Sequence, residues 1–207
     1  DAKTAGALFD EMTDFAKYAF NKSHACCYAY VAYQTAYLKV HFPSEFMAAM
    51  MTSVMDNTPK IVGYIEECKK FGIAIEPPSV NKGIAGFNVH DGHIIYGLAA
   101  IKNIGKKFID EMVRERDRDG EYRSFPDFIK RMRSHDIGKR TLESLIKAGA
   151  FDEFGFSRRH LLSVYEKVLS AIDRENAALS GGQMNLFGEV FTDEAFSIEQ
   201  YFKNDGP

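Results

Sequence analysis

Apolar residues recur at three- and four-residue intervals through most of the segment before residue 72, which is the spacing of amphipathic helices. This spacing predicts four helices. Their expected starts are Ala7, an N-cap at Ser23, an N-cap at Ser44 and the pair Thr58-Pro59. Pro43 is expected to end the second helix, and Gly72 the fourth.

The pattern changes between Ile73 and Gly97. Pro77 and Pro78 exclude a helix there, because proline lacks the amide proton that a helix interior needs. Two alternating stretches, 87–90 and 93–96, flank Asp91-Gly92, a dipeptide typical of two-residue hairpin turns. The sequence therefore predicts one small β-hairpin in this segment.

Helical spacing returns at Leu98 and breaks at two similar turns, Ile104-Gly105 and Ile137-Gly138. We interpret this pattern as two short helix-break-helix units in tandem. Further boundary signals are the start at Ser124 and Pro126, the helix 139–148 closed by Gly149, and the N-cap Ser157 of a last long helix. The expected fold class is mainly α: helices, one small β-hairpin, a tandem helix-hairpin-helix region, and a long C-terminal helix with a flexible tail.

Composition narrows the class of protein. With 45% apolar and 27% charged residues, the chain is typical of globular proteins, which excludes disordered and collagen-like classes. It has no run of 18 apolar residues and no secretory signal, so we expect a cytoplasmic protein without a membrane partner. The three cysteines lack zinc or disulfide spacing, and we expect reduced core residues.

The charges are unevenly distributed although the formal net charge is only -3. All ten arginines lie between residues 98 and 179. Because the planar guanidinium group suits phosphate, this block is where we expect nucleic acid to bind.

The first candidate site is Lys22, Ser23 and His24, at the expected start of the second helix. Free amides at a helix N-terminus, together with an ammonium and an imidazole group, favour phosphate binding. The alternative is a capped helix with a solvated lysine and a hydrogen-bonded histidine. The nearby tyrosines are expected to line a core or groove rather than to stack on bases: Tyr28, Tyr30, Tyr33 and Tyr37.

The second candidate site comprises the two turns. Helix-hairpin-helix motifs direct the amides of their second helix at a DNA phosphate, and flanking cations add affinity without sequence specificity. The residues that fit this use are Lys102, Asn103, Ile104, Gly105, Lys106 and Lys107 in the first turn and Gly138, Lys139 and Arg140 in the second. Asn103 stands where such motifs usually carry glycine, but asparagine tolerates positive φ. The alternative is that both turns are purely structural.

The third candidate site is a short apolar stretch beyond the linker Ser180-Gly181-Gly182. Its candidate residues are Gln183, Met184, Leu186 and Phe187. Two apolar anchors on a flexible tether are typical of a linear motif that binds a partner's pocket. The alternative is that Leu186 and Phe187 pack back onto the long helix.

The chain resembles the alpha (polymerase) subunit of bacterial DNA polymerase III. The segment FNKSHACCYAYVAYQTAYLKVHFPSEFMAAMMTS, from Phe20, is similar to the end of that family's fingers domain. FGIAIEPPSVNKG and FNVHDGHIIYGLAAIKNIG are similar to the stretch that leads into its helix-hairpin-helix, and GKRTLESLIKAGAFD to the block that follows. SGGQMNLFG resembles its internal sliding-clamp motif. The similarity extends from about Asp10 to Gly188.

The resemblance implies four regions: the C-terminal fingers over 1–75, a connector with the β-hairpin over 76–97, the tandem helix-hairpin-helix and long helix over 98–179, and a linker and clamp-binding tail over 180–207. It implies that Lys22, Ser23 and His24 lie near the incoming nucleotide's triphosphate. The family's catalytic carboxylates bind metal ions in the palm domain, upstream of anything in this chain.

We therefore expect a segment of a DNA-directed DNA polymerase that is inactive by itself. It has no cofactor of its own, and Mg²⁺ is expected in the palm of the parent protein. The implied partners are primer-template duplex, an incoming deoxynucleoside triphosphate, the sliding clamp (beta subunit) and other replicase subunits. The competing interpretations are a stand-alone helix-hairpin-helix DNA-binding scaffold without polymerase activity, and an all-α interaction protein without any nucleic acid role.

Overall fold

The computed structural model describes residues 1–17, 22–135, 137–180 and 198–202. The described part is mainly helical with one small sheet, as the sequence predicts. The chain divides into two compact units, residues 1–43 and 44–207, and each is described by itself. The candidate clamp-binding residues lie outside the described residues: Gln183, Met184, Leu186 and Phe187.

The first unit contains α1 (Ala2–Lys17) and α2 (Lys22–His41). Helix α1 begins earlier than the apolar pattern predicts, because the Asp1 carboxylate accepts a hydrogen bond from the Thr4 amide at 2.8 Å. Helix α2 begins one residue before Ser23, so the prediction that Ser23 is its N-cap is wrong.

Helix α2 exposes its apolar side chains in this chain. Four tyrosines are 48–69% exposed, so they do not line a core in this chain, and the lining of a groove stays a prediction: Tyr28, Tyr30, Tyr33 and Tyr37. Cys26 and Cys27 are exposed as well, and only Cys68, in the second unit, has the predicted burial. Burial raises the pKa of the Cys68 thiol.

The second unit begins with α3 (Pro43–Ser53) and α4 (Thr58–Lys70). The predicted N-caps of both helices are wrong, by two residues for α3 and by one for α4. Pro43 occupies the first position of α3, and the Ser44 hydroxyl donates to the Gly92 carbonyl oxygen instead. Asn57 caps α4, because its side-chain oxygen accepts a hydrogen bond from the Lys60 amide at 3.2 Å.

The predicted hairpin is confirmed as β2 (Asn88–His90) and β3 (His93–Ile95), which pair antiparallel. Asp91 and Gly92 both have positive φ, 50° and 79°, as a two-residue turn between twisted strands requires. The sequence did not predict β1 (Ile75–Glu76), which pairs in parallel with β3 and makes a three-stranded sheet. The sheet and α3–α4 share a core that includes Met47, Met51, Ile61, Cys68, Phe87 and Ile94.

The larger core lies among α5 (Lys106–Asp119), α6 (Phe125–Met132), α7 (Lys139–Ala148) and α8 (Arg158–Ser180). The helix expected at Leu98 is only a 3₁₀ turn, Leu98–Ala100. The predicted caps of α6 and α8 are confirmed, because Ser124 Oγ accepts from the Asp127 amide and Ser157 Oγ from the His160 amide. Gly149 closes α7 with φ 89°, a left-handed conformation that favours glycine.

The prediction of a flexible tail is wrong for residues 198–202, which pack within the second unit. A 3₁₀ helix, Ile198–Phe202, contacts the larger core, and its Phe202 ring meets those of Phe156 and His160 at centroid distances of 5.0 and 5.9 Å. His160 Nε2 also lies 2.8 Å from the Tyr201 carbonyl oxygen. Among the residues that the structure describes, no helix is both long and apolar enough to span a bilayer.

Candidate nucleic-acid interface

The first hairpin comprises residues 101–106 and leads into α5. Asn103 adopts φ 66°, so the turn forms with asparagine in the left-handed region, as the sequence predicts. Gly105 is the N-cap of α5, with φ -78° and ψ 143°, and no side chain caps the helix. The first amides of α5 are therefore available to an acceptor from outside this turn.

The second hairpin comprises residues 137–140 and leads into α7. Gly138 is the N-cap, with φ -83° and ψ 152°, again without a side-chain cap. Lys139 and Arg140 are the first two residues of α7, in the positions that Lys106 and Lys107 occupy in α5. The two hairpins thus have nearly the same backbone conformation at the N-cap glycine and the same order of glycine and two cations.

The two hairpins lie next to each other. The Thr141 hydroxyl, in the first turn of α7, donates to the Asn103 carbonyl oxygen at 3.3 Å. Asn103 Nδ2 donates to Ser144 Oγ at 3.4 Å. A cavity of about 420 Å³ separates the start of α5 from the 133–135 turn and α7, with Lys107 and His135 in its lining. Sequence reasoning missed Thr141 and Ser144, because nothing in local spacing reports a contact between residues about 40 positions apart.

Neither N-cap glycine is required by the fold. Both have φ values that any residue adopts, and a Cβ atom added at Gly105 or Gly138 would meet nothing within 4 Å. Glycine at such a position leaves the amides open to close approach by another molecule. There is therefore open space beside the backbone of each N-cap glycine.

The cations of the two hairpins differ in their partners. The first hairpin carries Lys102, Lys106 and Lys107, which are exposed and form no ion pair within the described ranges. Lys139 Nζ of the second hairpin lies 3.2 Å from Glu166 Oε2 of α8. This hydrogen bond and charge lower the pKa of the Glu166 carboxyl, with a smaller contribution from the Tyr165 hydroxyl. Sequence spacing gave no signal for Glu166.

Several arginines of the Arg-rich block stabilise the fold instead of facing outward. Four of them donate hydrogen bonds to backbone carbonyl oxygens: Arg116, Arg131, Arg133 and Arg158. Arg131 also lies 4.3 Å from the Tyr122 ring centroid and 3.6 Å from the buried Glu115 carboxylate. For these four side chains, the inference from the arginine block to phosphate binding does not apply.

The fingers-like candidates lie at the start of α2 in the first unit. Lys22, Ser23 and His24 are all exposed in its first turn. The His24 ring packs edge-on against Tyr28, with centroids 4.4 Å apart. The arrangement brings an ammonium, a hydroxyl and an imidazole group to one helix N-terminus.

The described residues contain no cluster of three or more His, Cys, Asp or Glu side chains suited to a metal ion. The Mg²⁺ expected for the parent polymerase would bind in its palm domain and not to the residues of this chain.

Comparisons with known proteins agree with this geometry. A family model described as "Helix-hairpin-helix motif" matches residues 72–161, which include both hairpins. The DNA polymerase III subunit alpha of Vibrio cholerae is 41% identical over 203 residues, 98% of this chain and 17% of that protein. Its counterpart in Escherichia coli K12 is 42% identical over 208 residues, 100% of this chain and 18% of that protein.

A third relative, the DNA polymerase III subunit alpha of Campylobacter jejuni, is 45% identical over 193 residues, 91% of this chain and 16% of that protein. The chain thus spans less than a fifth of the length of each of these relatives. The interpretation as an unrelated scaffold or interaction protein does not account for such a match. The chain is homologous over nearly its whole length to one segment of the DNA polymerase III alpha subunits.

Proposed function

We propose that this chain is a segment of a replicative DNA polymerase and that its two hairpins bind the phosphate backbone of primer-template duplex. The observation that carries this proposal is the pair of adjacent helix N-termini, each with an open glycine N-cap that the fold does not require. Two seats of the same geometry, each flanked by cations, suit two phosphates of one duplex.

The mechanism follows from the groups at each hairpin. The uncapped amides of α5 and α7 donate hydrogen bonds to phosphate oxygens, and the positive ends of the helix dipoles add attraction. Lysine ammonium groups contribute charge and displace counterions. None of these groups reads base edges, so the binding is independent of sequence, as a replicating enzyme requires.

Substitution of the N-cap glycines tests this proposal. Serine is a better N-cap than glycine, so Gly105→Ser and Gly138→Ser should maintain or raise the melting temperature. The added side chain would cap the amides that the phosphate needs, and duplex affinity should fall. Gly63→Ser is the matched control, because Gly63 also has open space at its Cβ position but lies within α4. If both hairpin variants bound a labelled duplex as tightly as the unmodified chain, the hairpins would be structural turns only.

The parent protein would be a DNA-directed DNA polymerase, and Lys22, Ser23 and His24 would contact the triphosphate of its incoming nucleotide. The exposed Lys22 ammonium at a helix N-terminus supports this role. The chain alone should show no nucleotide incorporation, because the segment that it resembles does not include the catalytic carboxylates of the palm domain. In the complete polymerase, Lys22→Ala should raise the KM for nucleotide, whereas an unchanged KM would contradict the assignment.

The segment around residues 183–187 would tether the polymerase to the sliding clamp. Gln183 and Met184 would contribute contacts at the rim of a pocket on the clamp, and Leu186 and Phe187 would fill the pocket. Losing both apolar anchors should remove most of the affinity, because one hot-spot residue typically contributes about 2 kcal/mol or more. Titration of purified clamp with the chain and with a Leu186→Ala, Phe187→Ala variant tests this, and equal affinities would exclude the motif.

A further inference from the structure

A carboxylate of α8 lies beside the second hairpin. Glu166 Oε2 is 3.2 Å from Lys139 Nζ, and Glu166 Oε1 accepts a hydrogen bond from the Tyr165 hydroxyl at 3.2 Å. The Lys139 and Glu166 side chains are 63% and 56% exposed, so the pair is open to solvent and to an incoming ligand. Both oxygens of the carboxylate are engaged, and one holds the cation at the first position of α7.

The sign of this charge opposes DNA. A carboxylate that pairs with Lys139 repels a phosphate that approaches the same ammonium. It also compensates the lysine charge when no phosphate is present. Glu166 therefore competes with a phosphate for the Lys139 side chain.

We propose that Glu166 attenuates DNA binding at the second hairpin by holding Lys139 in the free protein and releasing it when a phosphate arrives. This inference rests on the proposed binding of duplex by the hairpins. The exchange is inexpensive, because exposed ion pairs contribute little to stability and are weakened by salt. As a consequence, the second hairpin binds duplex DNA more weakly than it would with Lys139 unpaired.

The neutral isostere Glu166→Gln tests the inference in the 207-residue chain. Glutamine keeps the shape of the side chain and removes only the charge. Helix α8 supplies a matched control in Glu175, which pairs with Lys130 of α6 at 2.8 Å and lies about 13 Å further along the helix. Lys139→Ala and the double variant Lys139→Ala, Glu166→Gln complete a cycle, and fluorescence anisotropy with a labelled random-sequence duplex gives affinities from about 50 to 300 mM salt.

We expect Glu166→Gln to tighten duplex binding by roughly threefold or more at about 0.1 M salt, and to steepen the salt dependence by up to about 0.9. Glu175→Gln should leave both quantities unchanged. With Lys139 replaced by Ala, the Glu166→Gln gain should shrink, because only direct repulsion of the phosphate remains to be removed. Unchanged melting temperatures would exclude a folding effect.

The outcomes separate the two levels of inference. If Lys139→Ala weakens binding but Glu166→Gln has no effect or weakens it too, Glu166 is not an attenuator and the hairpin still binds DNA. If Glu166→Gln and Glu175→Gln tighten binding equally, the effect is one of net charge and the attenuator role is overturned. If replacing Lys139 and Arg140 together leaves affinity unchanged, the second hairpin does not contact DNA and both inferences fail there.

Discussion

The first and second hairpins have the same backbone conformation at their N-cap glycines but different electrostatic settings. Gly105 and Gly138 precede their helices with φ of -78° and -83°, and neither helix has a side-chain cap. Around the first hairpin stand three exposed lysines without ion pairs in the described part of the chain, whereas Lys139 of the second pairs with Glu166. We therefore expect the backbone geometry to define where a phosphate can bind, and the charged side chains near each hairpin to set how strongly the phosphate is attracted.

The largest effect on DNA binding should come from the lysines of the first hairpin. Replacing Lys102, Lys106 and Lys107 by alanine removes up to three counterion-displacing charges, each of which contributes about 0.9 to the salt slope. Duplex affinity near 0.15 M salt should fall by about 100-fold, and the slope by up to about 2.7. The measurement is an anisotropy titration over a range of salt concentrations.

A control for this prediction removes the same charge elsewhere. The α4 lysines Lys60, Lys69 and Lys70 are exposed and lie outside both hairpins. Their triple alanine variant has the same net charge as the hairpin variant. If the two variants lost the same affinity, the effect would be one of overall charge, and the first hairpin would have no special role.

The second hairpin should contribute less. Lys139→Ala together with Arg140→Ala is expected to lower duplex affinity about five- to tenfold, because one of the two cations is already paired with a carboxylate. The salt slope should fall by about 1. A loss as large as that of the first-hairpin variant would show that the Glu166 ion pair does not distinguish the two sites.

The comparison also shows what the sequence can predict. The breaks at Gly105 and Gly138 and the β-hairpin turn were predicted because each has a local signal in the sequence, such as the Asp91-Gly92 pair that favours positive φ. The two-residue strand β1 was missed, because Ile75–Glu76 is too short for a period and owes its conformation to pairing with β3. Likewise, Glu166 meets Lys139 only through the packing of α8 against α7.

Burial was predicted less well than backbone conformation. The tyrosines of α2 are residues of a kind often found in protein cores, but they are exposed in this chain. Helix α2 carries apolar residues around its whole circumference. Periodicity identifies a helix and its apolar faces, but it does not report what covers them. The prediction of phosphate binding from the arginine-rich block was inaccurate for a related reason. Composition does not show whether a guanidinium group faces solvent or a backbone carbonyl.

Asn103 gives a smaller effect that is specific to the first hairpin. Its φ of 66° is unfavourable for most side chains, so Asn103→Ala should cost about 1 kcal/mol of unfolding free energy. Asn103→Gly removes the strain but also the hydrogen bond to Ser144, and should be close to neutral. Urea unfolding measures both, and a few-fold loss of duplex affinity should accompany the alanine variant alone. Equal stability of the two variants would show that the turn conformation is not strained.

The smallest expected effect on DNA binding is that of Arg116, although its effect on stability is large. The Arg116 side chain is only 12% exposed, and its Nη1 donates to the carbonyl oxygens of Val80 and Gly83 at 3.2 and 2.9 Å. Hydrogen bonds from a charged donor contribute about 1.5–3 kcal/mol each, and carbonyls that lose a donor in a partly buried setting are costly. Arg116→Ala should therefore lower the unfolding free energy by about 2–3 kcal/mol.

Lysine should not restore the function of Arg116, because its ammonium ends one bond short of the position of Nη1, the atom that donates to both carbonyls. Arg116→Lys keeps the positive charge. It would therefore retain binding to a phosphate better than it would retain the hydrogen bonds to the two carbonyl oxygens. Folded Arg116→Lys protein should bind duplex like the unmodified chain while unfolding at lower urea concentration. The contrary result would be a loss of duplex affinity in Arg116→Ala that Arg116→Lys restores. Arg116 would then belong to the DNA-binding surface, and the division between DNA-binding lysines and structural arginines would be wrong.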